Sequence, residues 1–171
     1  MTIPYLSEAA DLEQLEWLGG GVMSVLLDAQ KTAGQLTVLR STSPGGAASP
    51  VHVHADDEIV VLLQGSGIFW AGDKRYELTD GGIAFLPRNV PHAYRFTSTT
   101  VDMLAICLPS GVEDFFRAAG WDLSQPKPDG WAITPASMAS AAATTGQTIL
   151  GPPLDVGDMI PAAYLTGHGA S

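Results

Sequence analysis

Two of the four histidines in this chain stand one residue apart, in the stretch "PVHVHADDEIVVLLQG" that begins at Pro50. Successive side chains of a β-strand point to opposite faces, so His52 and His54 face the same side, with their β-carbons about 6.6 Å apart. Glu58 opens the apolar run that follows and can bring a carboxylate back to the same place. Two imidazoles and a carboxylate in this arrangement are typical ligands of a divalent metal ion.

A third imidazole follows in the stretch "GGIAFLPRNVPH", where Pro87 ends one predicted strand and His92 begins the next. Three imidazoles and one carboxylate form a ligand set suited to Fe(II), Mn(II), Co(II), Ni(II) or Zn(II), and they leave coordination positions for water or substrate. We therefore predict a divalent transition-metal site with four ligands: His52, His54, Glu58 and His92.

The chain around these residues has the pattern of an all-β domain. From Val22 to Leu108, short apolar runs rich in Val, Ile, Leu, Phe, Tyr and Thr alternate with turn residues. Turns are predicted at "AGDK" and "TDGG", where Gly and Asp tolerate the positive φ of a tight hairpin. This pattern predicts antiparallel strands in a meander or a double-sheet barrel, and it disfavours βαβ units.

Helices are predicted on both sides of the strands. Ser110 is the predicted cap of a helix from Val112 to Ala119, whose apolar side would lie on the barrel. A second helix is predicted from Pro135 to about Thr144. The amino-terminal acidic segment predicts one helix from Ser7 to Trp17. The Gly- and Pro-rich tail from residue 151 onwards is expected to cross the surface as irregular chain.

Length and composition bound the architecture. With 171 residues and 46% hydrophobic content, the chain can bury one core and is too short to divide comfortably into two domains. We expect a single domain over residues 1–171. Its barrel would occupy about residues 22–109, and a helical and irregular extension would occupy about residues 110–171.

The charge balance excludes some partners. Eight Lys and Arg residues against 18 Asp and Glu residues give a formal net charge of -10, which repels nucleic acids and anionic membranes. No stretch approaches the roughly 20 apolar residues of a membrane span, and the first 20 residues lack the pattern of a secretion signal. The single cysteine, Cys107, cannot form an internal disulfide. We expect a cytoplasmic protein that acts on a small molecule.

The two histidine-containing stretches resemble a known family. The spacing G-x5-H-x-H-x3-E-x6-G over residues 46–65 is similar to the first motif of the cupin superfamily, and G-x5-P-x4-H over residues 81–92 is similar to the second. Asn89 stands where the second motif usually has Gly, and Phe96 stands where it usually has Asn. The resemblance implies a cupin double-stranded β-helix, or jelly-roll barrel, with short helical segments at its two ends.

More narrowly, the chain looks like the single-domain cupins that resemble bacterial quercetin 2,3-dioxygenase. The stretches "FLPRNVPHAYRF" and "VEDFFRAAG" support this likeness. In that family the metal binds the flavonol, and the glutamate helps to take the proton from the flavonol hydroxyl. The resemblance therefore implies that His52, His54 and His92 are ligands and that Glu58 is both a ligand and the catalytic base. Compared with many flavonol-cleaving members, this chain has one residue fewer between the histidine pair and the glutamate.

Two classes of function follow from the resemblance. The first is a metal-dependent dioxygenase that uses O2 and acts on an aromatic or enolisable oxygenated compound, such as a flavonol or a polyketide. The alternative is a cupin without oxygen chemistry that binds a small ligand or acts as an isomerase or cyclase. A purely structural barrel with an empty site is a third reading.

Five large side chains are candidates for the wall of a substrate pocket: Trp70, Phe85, Tyr94, Phe96 and Met103. Aromatic residues in barrels mostly serve packing, but Tyr94 and Phe96 share the strand face of His92 and are the favoured pair.

The remaining polar residues are assigned ordinary structural roles. Cys107 is predicted to be a small buried residue, and Arg95 is predicted to be a solvated charge. Asp56 and Asp57 are interpreted as solvated loop charges, and His168 is interpreted as an exposed residue of the tail. A homodimer is expected, because open barrel edges are commonly covered by a partner and the amino-terminal segment could supply that cover.

Overall fold

The computed structural model describes residues 4–166, and within this range it confirms the predicted all-β jelly-roll barrel. The strands form a seven-stranded and a five-stranded antiparallel sheet. Their bounds are β1 Glu13–Trp17, β2 Gly21–Leu27, β3 Thr37–Pro44, β4 Pro50–Val53, β5 Asp57–Gln64, β6 Gly67–Ala71, β7 Lys74–Leu78, β8 Ile83–Leu86, β9 His92–Phe96, β10 Thr100–Leu108, β11 Trp121–Asp122 and β12 Thr148–Pro153. The order is β11-β1-β2-β3-β10-β5-β8 in the larger sheet and β12-β4-β9-β6-β7 in the smaller.

The inward-facing side chains of the two sheets meet in a common core. Val60, Leu62 and Met103 of the larger sheet pack with Phe69 and Phe96 of the smaller. Burial alternates along β10, as the period of a strand requires. Cys107 lies on the buried side of this strand, which confirms its reading as a small core residue.

Four helices flank the sheets in the described range: α1 Ala29–Thr32, α2 Val112–Ala119, α3 Pro135–Thr145 and α4 Ala162–Leu165. The two longer helices, α2 and α3, lie where the sequence predicted them, and the Thr134 side chain caps α3. The predicted Ser110 cap of α2 is wrong. Gly111 occupies the cap position with φ 135°, a conformation that suits glycine, and no side chain of the cap residue bonds to the helix.

The predicted helix from Ser7 to Trp17 is also wrong. A 3-10 turn spans Ala9–Asp11, and the rest of the segment is strand β1. Leu15 and Trp17 are 2% and 3% exposed, whereas Gln14 and Glu16 face outward. The backbone of β1 pairs with both β2 and β11, so ladder hydrogen bonds and a period-two apolar face outweigh the local helical tendency.

The carboxy-terminal tail is more ordered than the sequence predicted. Strand β12 pairs with β4, and Leu154 and Ile160 pack against Trp70 on the outer face of the smaller sheet. Arg95 is not a free solvated charge, because its Nε donates to the carbonyl of Leu154 at 2.6 Å. The sheets therefore include strands before residue 22 and after residue 109, the predicted limits of the barrel.

Three predictions are not decided by the fold. The single-domain division of residues 1–171 and the homodimer stay predictions, and His168 lies outside the described residues. Among residues 4–166, none of the helices is long and apolar enough to cross a membrane.

A buried carboxylate fastens α2 to the barrel. Glu113 is 1% exposed and accepts hydrogen bonds from the backbone of Ala29 at 2.7 Å, from the backbone of Gly111 at 2.8 Å and from the hydroxyl of Thr37. Burial opposes ionisation of Glu113, but these hydrogen bonds favour the anion and lower its pKa. The carboxylate thus joins α1, β3 and α2 at one point.

We predict that Glu113→Gln lowers the free energy of unfolding by about 2 kcal/mol, because hydrogen bonds to a buried anion are lost. The lowered pKa means that the contribution of Glu113 is present above the ordinary pKa of 4.5 and disappears as the pH falls through the folded-state value. Urea denaturation of both proteins between pH 3 and pH 7 measures this difference. Asp114→Asn, in the same helical turn but with a 68% exposed side chain, is the control and should change little. Equal losses of unfolding free energy in the two variants would contradict a stabilising role for the buried Glu113 carboxylate.

Candidate metal centre

Three adjoining segments bring the predicted ligands together. His52 lies on β4 and pairs directly with His92, the first residue of β9. His54 follows the end of β4, and its carbonyl accepts a hydrogen bond from Asn89 N at 2.8 Å. Asn89 has φ 62°, so it adopts the left-handed conformation for which glycine is the usual choice and asparagine the next best. The turn between β8 and β9 is therefore built as the motif requires, and it presents His92 to the histidine pair.

The imidazole rings form a compact cluster. Ring centroids are 4.3 Å apart for His52 and His92, 4.6 Å for His54 and His92, and 5.6 Å for His52 and His54. One ring nitrogen from each of the three residues lies within 4.8 Å of the other two. Glu58 Oε2 lies 3.4 Å from His54 Nε2 and 3.6 Å from His92 Nε2. The three histidines could therefore hold one metal ion, with the carboxylate at the edge of the cluster.

Backbone carbonyls orient all three rings. The Nδ1 atoms lie 2.9 Å from Pro50 O for His52, 3.0 Å from Asp56 O for His54 and 2.8 Å from Val90 O for His92. A carbonyl oxygen only accepts, so each Nδ1 carries a proton, and Nε2 is the atom that each ring can offer to a metal ion. Metal-binding histidines are commonly oriented in this way by an acceptor behind the ring.

An unpaired nitrogen supports the same assignment. His92 Nε2 is buried and has no hydrogen-bond partner among the described residues. A buried acceptor without a partner is unfavourable, and a bound cation would satisfy it. The donor set of three imidazoles and a carboxylate therefore fits a divalent transition-metal ion.

The electrostatics of the metal-free side chains agree with this fit. Burial, together with the neighbouring His92 and His54, lowers the pKa of His52 to about 3, so this ring is neutral. Burial also opposes the charge of His54, but hydrogen bonds to Asp56 and Glu58 raise its pKa to about 10. Burial opposes the Glu58 anion, whereas contacts with His54 and His92 hold its pKa well below the usual range. A divalent ion would take the place of the His54 proton.

The interpretation of Asp56 and Asp57 as solvated loop charges is wrong. Asp56 Oδ1 lies 3.2 Å from His54 Nδ1, so this carboxylate supports a predicted ligand. Asp57 begins β5, and its carboxylate accepts hydrogen bonds from the backbone and the guanidinium of Arg88. The position of Asp56 in the sequence could have indicated this role. A carboxylate two residues after a predicted metal ligand is close enough to contact the back of the imidazole ring.

The cluster lines an apolar cleft of about 690 Å³, a volume that includes its open mouth. Glu58 is the one carboxylate among the described residues that line it. Burial raises the pKa of the Tyr94 hydroxyl to about 12, and the nearby Trp17 indole has a smaller effect in the opposite direction. The cleft thus combines a polar floor with apolar walls, as small-molecule sites commonly do.

Of the five side chains predicted to line a pocket, Tyr94 and Met103 line this cleft. Phe96 stacks behind Tyr94 at 4.8 Å between ring centroids and belongs to the barrel core. Trp70 lies on the opposite face of its sheet, where its Nε1 donates to the carbonyl of Asp158 at 2.8 Å. Phe85 is 60% exposed on the outside of the barrel. The assignment of Phe96, Trp70 and Phe85 to the pocket wall is therefore wrong.

Strand parity explains two of these errors. Trp70 pairs with Ala93, the residue between His92 and Tyr94, and so it points away from the metal cluster. Phe85 pairs with Ile59, the residue after Glu58, and so it points away from the same interior. The pairing partners were not identified from the sequence, so the inward and outward faces of β6 and β8 were not assigned.

Sequence reasoning missed the outer half of the cleft, which comes from elements on either side of the predicted barrel. Trp17 of β1, Phe115 and Phe116 of α2, and Met138 of α3 line it. Trp17 packs edge-on against Phe116 at 4.7 Å and against Phe115 at 5.8 Å. In the sequence, only the apolar side of α2 pointed to this part of the cleft, because that side was predicted to lie on the barrel.

Comparisons with known proteins place the chain in a family. A cupin-domain model matches residues 39–109, the part that holds the three histidines and Glu58. Quercetin 2,3-dioxygenase of Bacillus subtilis (strain 168) is 31% identical over 120 residues, which are 69% of this chain and 35% of that protein. The chain belongs to the cupin superfamily. This cupin spans about a third of the length of the Bacillus relative it matches.

Solved structures share the fold of this cupin. An RmlC-like cupin from Shewanella frigidimarina NCIMB 400 matches with a TM-score of 0.56 and 19% identity, over 64% of this chain and 96% of that chain. KdgF from a Halomonas species matches with a TM-score of 0.56 and 13% identity, over 64% and 98%. The polyketide cyclase RemF from Streptomyces resistomycificus matches with a TM-score of 0.54 and 16% identity, over 63% and 81%. At these identities the likeness is one of fold.

We predict that His52→Ala, His54→Ala and His92→Ala each weaken metal binding by at least tenfold. Loss of a group that merely orients a ligand already costs ten- to a hundredfold, and loss of the ligand costs more. Elemental analysis after reconstitution with one equivalent of Zn(II) or Fe(II) measures the metal bound per chain. Cys107→Ala is the matched control, because Cys107 lines the same cleft but lies outside the imidazole cluster. Wild-type metal content in all three histidine variants would disprove the site.

Proposed function

We propose that this cupin is a metal-dependent dioxygenase acting on a small aromatic or enolisable oxygenated compound, such as a flavonol or a polyketide. The observation that carries the proposal is the position of Glu58. Its carboxylate lies beside two imidazoles at the floor of an apolar cleft, in a chain that is 31% identical to a quercetin 2,3-dioxygenase over 120 residues.

His52, His54 and His92, together with Glu58, would hold the metal ion. The candidates for this ion are Fe, Ni, Mn, Co and Zn, since a site of imidazoles and one carboxylate suits each of them. When bound, the ion supplies a Lewis acid that favours the ionised form of a substrate hydroxyl.

The residues of the chain supply the proton acceptor and the environment. Glu58 is the carboxylate within reach of a hydroxyl placed beside His54 and His92, so it receives the proton of that hydroxyl. The apolar walls exclude water, which strengthens the interaction between the carboxylate and the hydroxyl. Loss of the hydroxyl proton raises the electron density of the ring that O2 attacks, and both atoms of O2 enter the product.

The aromatic side chains that line the cleft would suit an aromatic substrate. Trp17, Tyr94 and Phe116 present ring surfaces to it, and aromatic groups pack favourably on such surfaces. The cytoplasmic location and the homodimer remain expectations that accompany this proposal.

We predict that Glu58→Gln keeps the protein folded but lowers the rate of O2 consumption by about 10²- to 10⁴-fold, because the amide cannot accept the substrate proton. An oxygen electrode measures uptake by protein loaded separately with Fe(II), Mn(II), Co(II) or Ni(II) and supplied with a panel of flavonols. Elemental analysis of each sample separates loss of the base from loss of metal. Glu77→Gln is the matched control, because Glu77 lies on β7 with a 69% exposed side chain.

Two outcomes would count against the proposal. Undiminished uptake by metal-loaded Glu58→Gln protein would remove the base assignment. A wild-type protein that binds flavonols tightly with every metal and consumes no O2 would instead favour a cupin that binds, isomerises or cyclises its ligand.

A further inference from the structure

Asp56 is a carboxylate beside the imidazole cluster that forms no ion pair with a lysine or an arginine among residues 4–166. Its side chain is 14% exposed, and its Oδ2 atom is buried without a hydrogen-bond partner among the described residues. The adjacent Asp57, by contrast, is paired with the guanidinium of Arg88 at 2.7 Å. Burial of an anion without compensation is unfavourable, so the position of Asp56 calls for a positive charge nearby.

The Asp56 carboxylate contacts a predicted metal ligand, but it is not needed to orient that ligand. Its Oδ1 atom lies 3.2 Å from His54 Nδ1, and the backbone carbonyl of Asp56 lies 3.0 Å from the same nitrogen. The rings of His52 and His92 are held by backbone carbonyls alone. Because a carbonyl is enough to orient a ring, the carboxylate gives His54 something that the other two rings lack, which is a negative charge behind the ligand.

The charges around a divalent ion balance when Asp56 is counted. Among the described residues that line the cleft, Glu58 is the one carboxylate, and none is a lysine or an arginine. A divalent ion held by three neutral imidazoles and Glu58 would leave one positive charge unbalanced in an apolar place. The Asp56 carboxylate behind His54 supplies the second negative charge. A carboxylate that accepts from the second ring nitrogen of a ligating histidine also raises the basicity of that ligand.

We propose that Asp56 is a positioning residue that acts through His54, strengthening this imidazole as a ligand and balancing the second charge of a divalent ion. The proposal rests on the metal centre of the proposed function and adds a residue outside the four predicted ligands. It concerns the affinity and the reduction potential of the ion, and it is independent of the substrate. It also accounts for the burial of Asp56, because the bound ion supplies through His54 the positive charge that this carboxylate lacks.

Asp56→Asn tests this proposal, because it removes the charge and keeps both the size of the side chain and the backbone carbonyl that orients His54. Competition with a chromogenic chelator should show that the variant binds Zn(II) about ten- to a hundredfold more weakly than the wild-type protein. In the iron-loaded proteins, the Fe(III)/Fe(II) reduction potential of the variant should be higher, because loss of a negative charge disfavours the ferric ion more than the ferrous ion. A residue that only stabilised the loop would give no reason for this shift.

Asp57→Asn is the matched control, because it removes an adjacent carboxylate that is paired with Arg88 instead of a predicted ligand. This variant should change the Zn(II) affinity and the iron potential far less than Asp56→Asn does. Asp56→Glu keeps the charge and should bind Zn(II) more tightly than Asp56→Asn. Urea denaturation of each metal-free protein excludes unfolding as the cause of weaker binding.

The outcomes separate this inference from the dioxygenase proposal. Wild-type affinity and potential in Asp56→Asn, or equal losses in Asp56→Asn and Asp57→Asn, would overturn the role of Asp56 and leave the dioxygenase proposal intact. Absence of O2 uptake with every substrate would overturn the dioxygenase proposal and leave the role of Asp56 intact. Failure of the wild-type protein to bind Zn(II) would overturn the metal centre on which both depend.

Discussion

The candidate metal centre depends on three hydrogen bonds between ring nitrogens and backbone carbonyls. Each of the three histidines gives its Nδ1 proton to a carbonyl two residues away in its own chain, so the local backbone sets both the tautomer and the direction of the ring. Gathering three imidazole Nε2 atoms in a buried place is unfavourable by itself. The direct pairing of His52 with His92 across β4 and β9 enforces it, and a bound cation would relieve it.

The ligand cleft depends on a different set of contacts, made by elements that flank the barrel. Helix α2 closes one side of the cleft with Phe115 and Phe116, and Glu113 fastens the start of this helix to the barrel. Near its end, Arg117 binds Glu13 of β1 at 2.7 Å and Asp28 at 2.9 Å. The polar contacts at both ends of α2 therefore determine the shape of an apolar surface between them.

The barrel and the elements that flank it contribute different parts of the candidate site. Cupins with 13–19% identity share the barrel, so the barrel by itself does not specify a reaction. In this chain a carboxylate lies at the imidazole cluster, and β1 and α2 add an aromatic wall to the cleft. The candidate metal ligands and the aromatic wall thus come from separate parts of the chain.

The sequence by itself determined which side chains could bind a metal and what fold would carry them. Strand periodicity placed His52 and His54 on one face, and the turn before His92 was predicted from Pro87, because these signals are local. Only the tertiary structure decided which aromatic residues line the cleft, since Trp70 and Tyr94 are both aromatic and differ in the face of the sheet from which they project. It also decided that the segment around Trp17 is a strand, because that segment pairs with β2 on one side and with β11, about a hundred residues away, on the other. Burial and pairing belong to the assembled sheets, so no short stretch of sequence contains them.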